Sequence, residues 1–360
     1  MSGGGGGGQR LGFFEHRGRR VAFASAGSGP PLICDLGQLH HLDVFWRYPP
    51  YRRLVEALAQ RFTVIRFDRP GCGLSDRAQA DFTLDGELEL LDRLLGCLQL
   101  DSAPFLAAGS AAKVVLAAAA LRPRRVRRLA VFGVRMGPLD AGIDYRDAME
   151  ALLRTQIEVG IDVLARRTAE GCGPAAVQWL ADAFRQVGSG DVIARWLRQS
   201  TDLDVRGLLG RVRCPTLVLH RRDDRLVDLR SARDVAAQVG DGLLVPLDGG
   251  ESVVWEGDTE ALAAQVARFM AESVEVVPER PGGAELTARE REVAALASGG
   301  LTNAEIGSRL GIGHRTVESH LERVRSKLGL RSRADLAAWV TRARIEPPGS
   351  GPSSPGTDGS

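Results

Sequence analysis

A serine that follows a glycine at the end of an apolar run could support covalent catalysis in this chain: Leu106-Ala107-Ala108-Gly109-Ser110-Ala111-Ala112. A serine hydroxyl attacks an acyl carbon only when an imidazole takes its proton and an acid orients that imidazole. The turn that presents such a serine also carries glycine two positions before it and two after, so that strand and helix close around a strained residue. Here those positions are Ala108 and Ala112. Histidine is scarce as well. The chain holds six, none between His220 and His314, and His220 ends an apolar run in which side chains pack. Ser110 reads as the first residue of a helix, with nucleophile as its fallback role.

A second set of side chains suits recognition rather than bond-making. Val317, Leu321, Val324 and Leu328 recur at helical spacing, and the opposite face carries Arg315, Glu318, Ser319, Glu322, Arg323 and Ser326. A helix divided this way can bury one side and lay the other in a DNA groove.

The elements that must hold this helix are written just before it. Thr287 with Glu290, and Thr302 with Glu305, are capping boxes that start two helices. Leu301 and Ile306 flank the second box as a hydrophobic staple, and Gly311-Ile312-Gly313 forms the turn into the polar-faced helix. The segment resembles the LuxR-type DNA-binding domain through Leu286-Thr287-x-Arg289-Glu290, Asn303-x-Glu305-Ile306, Thr316-Val317-x-x-His320 and Lys327-Leu328-Gly329. The resemblance implies that Thr316, His320 and Lys327 hold the phosphate backbone while Glu318, Ser319 and Glu322 face the bases, with Arg315 and Arg323 beside them. The same glutamates could instead pair along the helix with Arg323 and Arg325. It further implies a fourth, dimerising helix over 334–341, and hence a homodimer on double-stranded DNA.

Charge follows the same division. Residues 284–345 hold 11 Arg and Lys against 7 Asp and Glu, whereas the rest of the chain has 36 basic and 38 acidic residues. The basic excess is confined to the segment that phosphate contact would require.

The remaining length accommodates one large domain, and 44% hydrophobic residues suffice for its core. Its apolar runs (VAFASAG, PLICDLG, FTVIRFD, PFLAAG, RLAVFG, TLVLH) alternate with helical stretches, which argues for an α/β domain with a mostly parallel sheet. A helix-rich interval at about 138–205 breaks the rhythm as an inserted cap. We expect a glycine-rich disordered tail at 1–9, the large domain at 10–275, a linker at 276–284, the helix-turn-helix domain at 285–345 and a second disordered tail at 346–360. Five cysteines without paired metal spacing suggest reduced thiols in the cytoplasm and no metal site; Cys72, between two glycines, is either redox-sensitive or simply packed. The apolar run 114–121 is too short to cross a bilayer, so no membrane partner is expected. Neither a phosphoacceptor pattern nor a nucleotide-binding glycine loop is present, and no cofactor is expected.

Residues 10–272 resemble the α/β-hydrolase fold through Phe67-Asp68-Arg69-Pro70-Gly71-Cys72-Gly73-Leu74-Ser75-Asp76, through the run from Cys214-Pro215 to Asp223-Asp224, and through Trp255-x-Gly257-Asp258. The resemblance, registered by Arg122-Pro123, places Gly109 at the nucleophile position, Asp224 at the acid and Ser252 at the histidine. It therefore implies a degenerate site without catalytic residues, in which Asp224 becomes a turn aspartate paired with a nearby Arg. The backbone near Gln38 and Ser110 would still offer oxyanion-type donors to a small organic ligand with a carbonyl or carboxylate. Lys113, one turn beyond, suits either an anion or the surface. Three functions compete: a ligand- or partner-sensing transcription regulator, an active serine hydrolase using Ser110 fused to a DNA anchor, and a ligand-free dimerisation scaffold whose pocket has collapsed.

Overall fold

The computed structural model describes residues 8–77, 81–136, 142–271, 287–299 and 301–328, which fall into two compact units, 1–272 and 273–360. The expected linker, the 334–341 helix and the C-terminal tail lie outside the described residues, as does most of the N-terminal tail.

The first unit is built on an eight-stranded sheet. Its strands and the helices between them run β1 (Arg10–His16), β2 (Arg19–Ala26), β3 (Pro31–Asp35), α1 (Leu42–Trp46), α2 (Pro49–Ala59), β4 (Thr63–Phe67), α3 (Leu84–Cys97), β5 (Ala103–Ala108), α4 (Ser110–Leu121) and β6 (Val126–Phe132). Four helices follow: α5 (Gly142–Thr155), α6 (Ile157–Thr168), α7 (Pro174–Val187) and α8 (Gly190–Asp202). A 3-10 turn (Arg206–Arg211) then leads into β7 (Thr216–Arg221), α9 (Leu229–Gln238), β8 (Gly242–Leu247) and α10 (Thr259–Ala271). The strand order is β1-β2-β4-β3-β5-β6-β7-β8. The β1–β2 and β2–β4 pairs are antiparallel and every other pair is parallel.

That topology explains the composition of the central strands. β5 and β7 are buried along their whole length, because a parallel strand covered on both faces must be apolar on both. One core, around Leu32, Val64, Leu106 and Phe132, also takes in Leu153, Leu164, Phe184 and Leu197 from the four inserted helices. A second core, around Ile33, Phe105 and Val131, takes in α3, α4 and α9. The inserted helices are thus anchored in the main core, with the mouth of the parallel strands beneath them.

The second unit holds α11 (Ala288–Ser298), α12 (Asn303–Leu310) and α13 (His314–Leu328) around a core of Val293, Leu296, Ile306, Val317, Leu321 and Val324. Both capping boxes form: Glu290 N donates to Thr287 Oγ1 at 3.2 Å and Glu305 N to Thr302 Oγ1 at 3.3 Å, while each glutamate accepts its threonine's backbone N–H. Gly311 ends α12 in the left-handed region (φ 66°, ψ 31°), a conformation that glycine enters without a Cβ clash. Ile312 N then donates back to Gly307 O at 3.0 Å. A Cβ on Gly307 would come within 2.7 Å of the Ile312 carbonyl oxygen, so the tight approach of turn and helix depends on glycine there.

Candidate functional site

The junction between β5 and α4 is the sharp strand-to-helix turn on which a nucleophile would sit. Gly109 occupies its apex at φ 58°, ψ −126°, with its N–H donated to Phe132 O at 3.0 Å. A residue with a side chain is strained in that conformation, and nucleophile turns accept the strain to push the side chain outward. A Cβ built on Gly109 meets no atom within 4 Å. The apex therefore has the backbone of a nucleophile turn and open space where the nucleophile would stand. Ser110 is the first residue of α4 and only half-buried, as its N-terminal reading required.

The loop after β7 supplies the acid position. Asp224 Oδ1 accepts from Leu226 N at 2.8 Å and Val227 N at 3.2 Å, closing a turn in the manner of a short polar side chain. The expected arginine partner is corrected: no ion pair to Asp224 occurs among the described residues, and the neighbouring Arg221 pairs with Glu251 instead. The second Asp224 oxygen is buried with no hydrogen-bond partner among the described residues. Ser252 lies beside it, Oγ 3.1 Å from Asp224 Oδ1 and 2.7 Å from Glu170 O. A hydroxyl has one proton to give, and the shorter distance commits it to the Glu170 carbonyl. Ser252 N also donates to Glu170 O, at 3.0 Å. The position that would hold an imidazole instead ties the loop after β8 to the α6–α7 connection of the inserted helices.

Other histidine chemistry is closed off locally. His220 is fully buried with Nε2 on Val227 O at 2.8 Å. His40 is held between Asp68 Oδ1 at 2.7 Å and the Tyr51 hydroxyl at 2.8 Å.

Between the strand ends and the inserted helices lies a cavity of about 190 Å³. Gly109, Ser110, Ser252 and Gln38 all line it, and no histidine does among the described residues. The scaffold reading predicted a pocket filled by side chains, and this open cavity does not fit it. Leu39, Phe45, Phe184, Trp196 and Trp255 make its walls apolar.

Gln38 is fixed by a chain of buried contacts. Its Nε2 donates to Glu87 Oε1 at 3.0 Å, and its Oε1 accepts from Trp196 Nε1 of α8 at 3.1 Å. Glu87 in turn accepts from Arg69 Nε at 2.7 Å, and Arg69 reaches Asp35 with both terminal nitrogens, at 3.1 and 2.7 Å. Burial pushes the Glu87 carboxyl above its usual range, against the pull of Arg69. For Arg69, burial works in the lowering direction but Asp35 and Glu87 outweigh it and raise the guanidinium.

Two further sequence readings change. Lys113 is not a surface residue: it is 5% exposed, lines the cavity, and donates to the carbonyls of Ser200 at 3.1 Å and Leu203 at 2.9 Å. Cys72 is completely buried, and burial pushes its thiol up to about 12, which leaves no thiolate for redox chemistry at neutral pH.

In the second unit, Arg315, Thr316 and Glu318 are exposed on α13, while Ser319 and His320 are half-buried. Val317, Leu321 and Val324 face inward. Glu322, Arg323 and Lys327 belong to the same helix, but their side chains lie outside the described residues. The residues that sequence reasoning missed are in the first unit: Trp196, which holds Gln38, and Glu170, which holds Ser252. Neither carries a local signal, since their partners are 158 and 82 residues away.

Comparison with known proteins agrees with both units. Residues 37–296 match the alpha/beta hydrolase family, and residues 284–340 match the bacterial regulatory proteins of the luxR family. The DNA-binding transcriptional activator DevR/DosR of Mycobacterium tuberculosis is 29% identical over 158 residues, 41% of this chain and 70% of that protein. The nitrate/nitrite response regulator protein NarL of Escherichia coli K12 is 36% identical over 96 residues, 27% of this chain; the chain spans only 42% of that relative. A hydrolase from Pseudomonas aeruginosa PA01 superposes on 72% of this chain and 98% of its own with a TM-score of 0.63. At 22% identity that likeness concerns the fold alone. The two family matches overlap at 284–296, where α11 falls within the second compact unit. The chain belongs to the alpha/beta hydrolase family and carries, at its C-terminal side, a luxR-family regulatory module.

Proposed function

We propose that this protein is a cytoplasmic transcription regulator that binds double-stranded DNA as a homodimer through α13, and whose hydrolase-like unit senses a small organic ligand without turning it over. The observation that carries this reading is the state of the remnant site. The nucleophile apex is Gly109, the imidazole position is a serine committed to Glu170, and yet the cavity above them is open. A pocket that keeps its walls and loses its base can bind but has nothing to deprotonate a nucleophile. The exposed Arg315, Thr316 and Glu318 lie on the helix face that a major groove would receive. Sensing requires the ligand to favour one of two states of the dimer by differential affinity.

Two experiments on the full chain test this. A fluorophosphonate serine probe should not label the protein; labelling that vanishes in Ser110→Ala would replace sensing by hydrolysis. Selection from random duplex DNA at low salt should enrich paired half-sites, and no enrichment would overturn the DNA assignment.

A further inference from the structure

The charge inside the cavity narrows what it would take. Lys113, Arg135 and Arg167 line it, and no Asp or Glu does among the described residues. The nearest buried carboxylates of the network behind Gln38, Asp35 and Glu87, are already engaged by Arg69. Cations are rarely drawn into an apolar chamber without a partner charge. Lys113 stands one turn into α4 from the apex, and its buried ammonium feels Arg135 as its strongest charged neighbour. Burial first, and then Arg135, bring it down to about 8, so an added negative charge there would relieve both causes. Thr201 of α8, also in the lining, keeps a buried Oγ1 with no hydrogen-bond partner among the described residues. Arg167 is the outermost of the three, with its guanidinium over the Tyr145 ring at 5.0 Å.

We infer that the cavity is a binding site for an apolar monocarboxylate, with the carboxylate at the Lys113–Arg135 end and the hydrocarbon or aryl portion against Phe45, Phe184, Trp196 and Trp255. The inference deepens the sensing reading and rests on it. One negative charge in the midst of three cations leaves the chamber net positive, and the aromatic walls bury the remainder of the ligand. Neutral esters gain the walls but not the cations.

The test uses the full-length protein and a series of straight-chain and phenyl-terminated acids from butanoate to decanoate, each beside its methyl ester. Calorimetric titration and thermal shift should show binding of at least one acid, and its ester should bind at least about tenfold more weakly, the loss of one charge-assisted contact. Arg135→Gln should weaken the acid by a similar factor and leave the ester unchanged. Lys113→Met should do the same, but it also removes two contacts to the α8 end of the inserted helices. Arg135→Gln, whose side chain is only half-buried, therefore decides between the outcomes if Lys113→Met fails to fold. Esters that bind as well as acids, an acid indifferent to Arg135→Gln, or no binding by any member would each overturn the inference. Operator affinity measured with and without the bound acid separates the two levels. An acid that binds and leaves DNA affinity unchanged keeps the ligand class and refutes sensing; an ester that binds equally and shifts DNA affinity does the reverse.

Discussion

If the apex at Gly109 is a nucleophile turn emptied of its side chain, refilling it should restore chemistry only when a base is restored with it. Gly109→Ser places a Cβ where no atom lies within 4 Å, so the substitution meets no steric clash. Its cost is the backbone conformation, φ 58° and ψ −126°, about 1–3 kcal/mol for a residue with a side chain. For a unit of this size that lowers Tm by roughly 2–4 °C per kcal/mol. Gly109→Ala should shift Tm equally, because strain and not the hydroxyl sets the loss. Ser252→His removes one hydroxyl contact to Glu170 O, about 1 kcal/mol, and brings a ring nitrogen next to Asp224 Oδ1, now 3.1 Å from Ser252 Oγ. The assay is the rate of fluorophosphonate labelling, read beside near-ultraviolet circular dichroism to confirm native packing. Gly109→Ser alone should label slowly if at all, and the double variant at least about 100-fold faster, the lower end of what a positioned general base contributes. A natively packed double variant that stays unlabelled would show that Gly109 and Ser252 do not mark the lost dyad. Equal labelling of single and double variants would mean that the base lies elsewhere.

Lys113 makes stability depend on pH in a definite direction. Its folded pKa of about 8 lies below the ordinary 10.5, so between those values the unfolded chain binds more protons and stability rises with pH. The penalty is fully present below pH 8 and relieved by about 10.5, at most about 3 kcal/mol. The facing charges are Arg135 and Arg206, which lower it, and Asp202 and Asp204, which raise it. Denaturant titrations should therefore give a rise from about pH 8 to 10 that Lys113→Met lacks, and parallel curves would refute the burial argument. Thr302→Ala deletes one capping box and should cost the second unit about 1 kcal/mol, visible as faster amide exchange in α12; unchanged exchange would remove the cap from the account. Glu318→Ala, on the exposed face of α13, should relax base preference at one position of each half-site by about 1–3 kcal/mol. An unaltered preference would assign Glu318 to the intrahelical pairing with Arg323 or Arg325.

What the sequence disclosed follows the range of the interactions involved. Capping boxes, the Gly311 turn and the face of α13 are settled within a few residues, so residue type and spacing reveal them. The central strands were legible for a similar reason, since double-sided burial writes a continuous apolar run. The edges were not. β1 alternates exposed Leu11 and Phe13 with buried Phe14 among charges, and β8 carries a glycine, a proline and no fully buried residue. The absence of catalysis could be read from residue identities at Gly109 and Ser252. What replaced it could not, because its partners are backbone atoms. Lys113 looked equally suited to the surface because its acceptors are two carbonyls 87 and 90 residues downstream, and a carbonyl has no residue type. A usable hint did exist: one of only two lysines in the chain stands inside the apolar helix SAAKVVLAAAAL. A lone ammonium in such a helix must either snorkel or find buried acceptors. With every position of α4 from Ala111 to Ala120 buried, only the second was open to it. The same logic applies to Ser252. Once its hydroxyl is committed to the Glu170 carbonyl, the catalytic loop becomes a fastening for the inserted helices, and a change of ligand in the cavity would be felt through that fastening and through Gln38–Trp196.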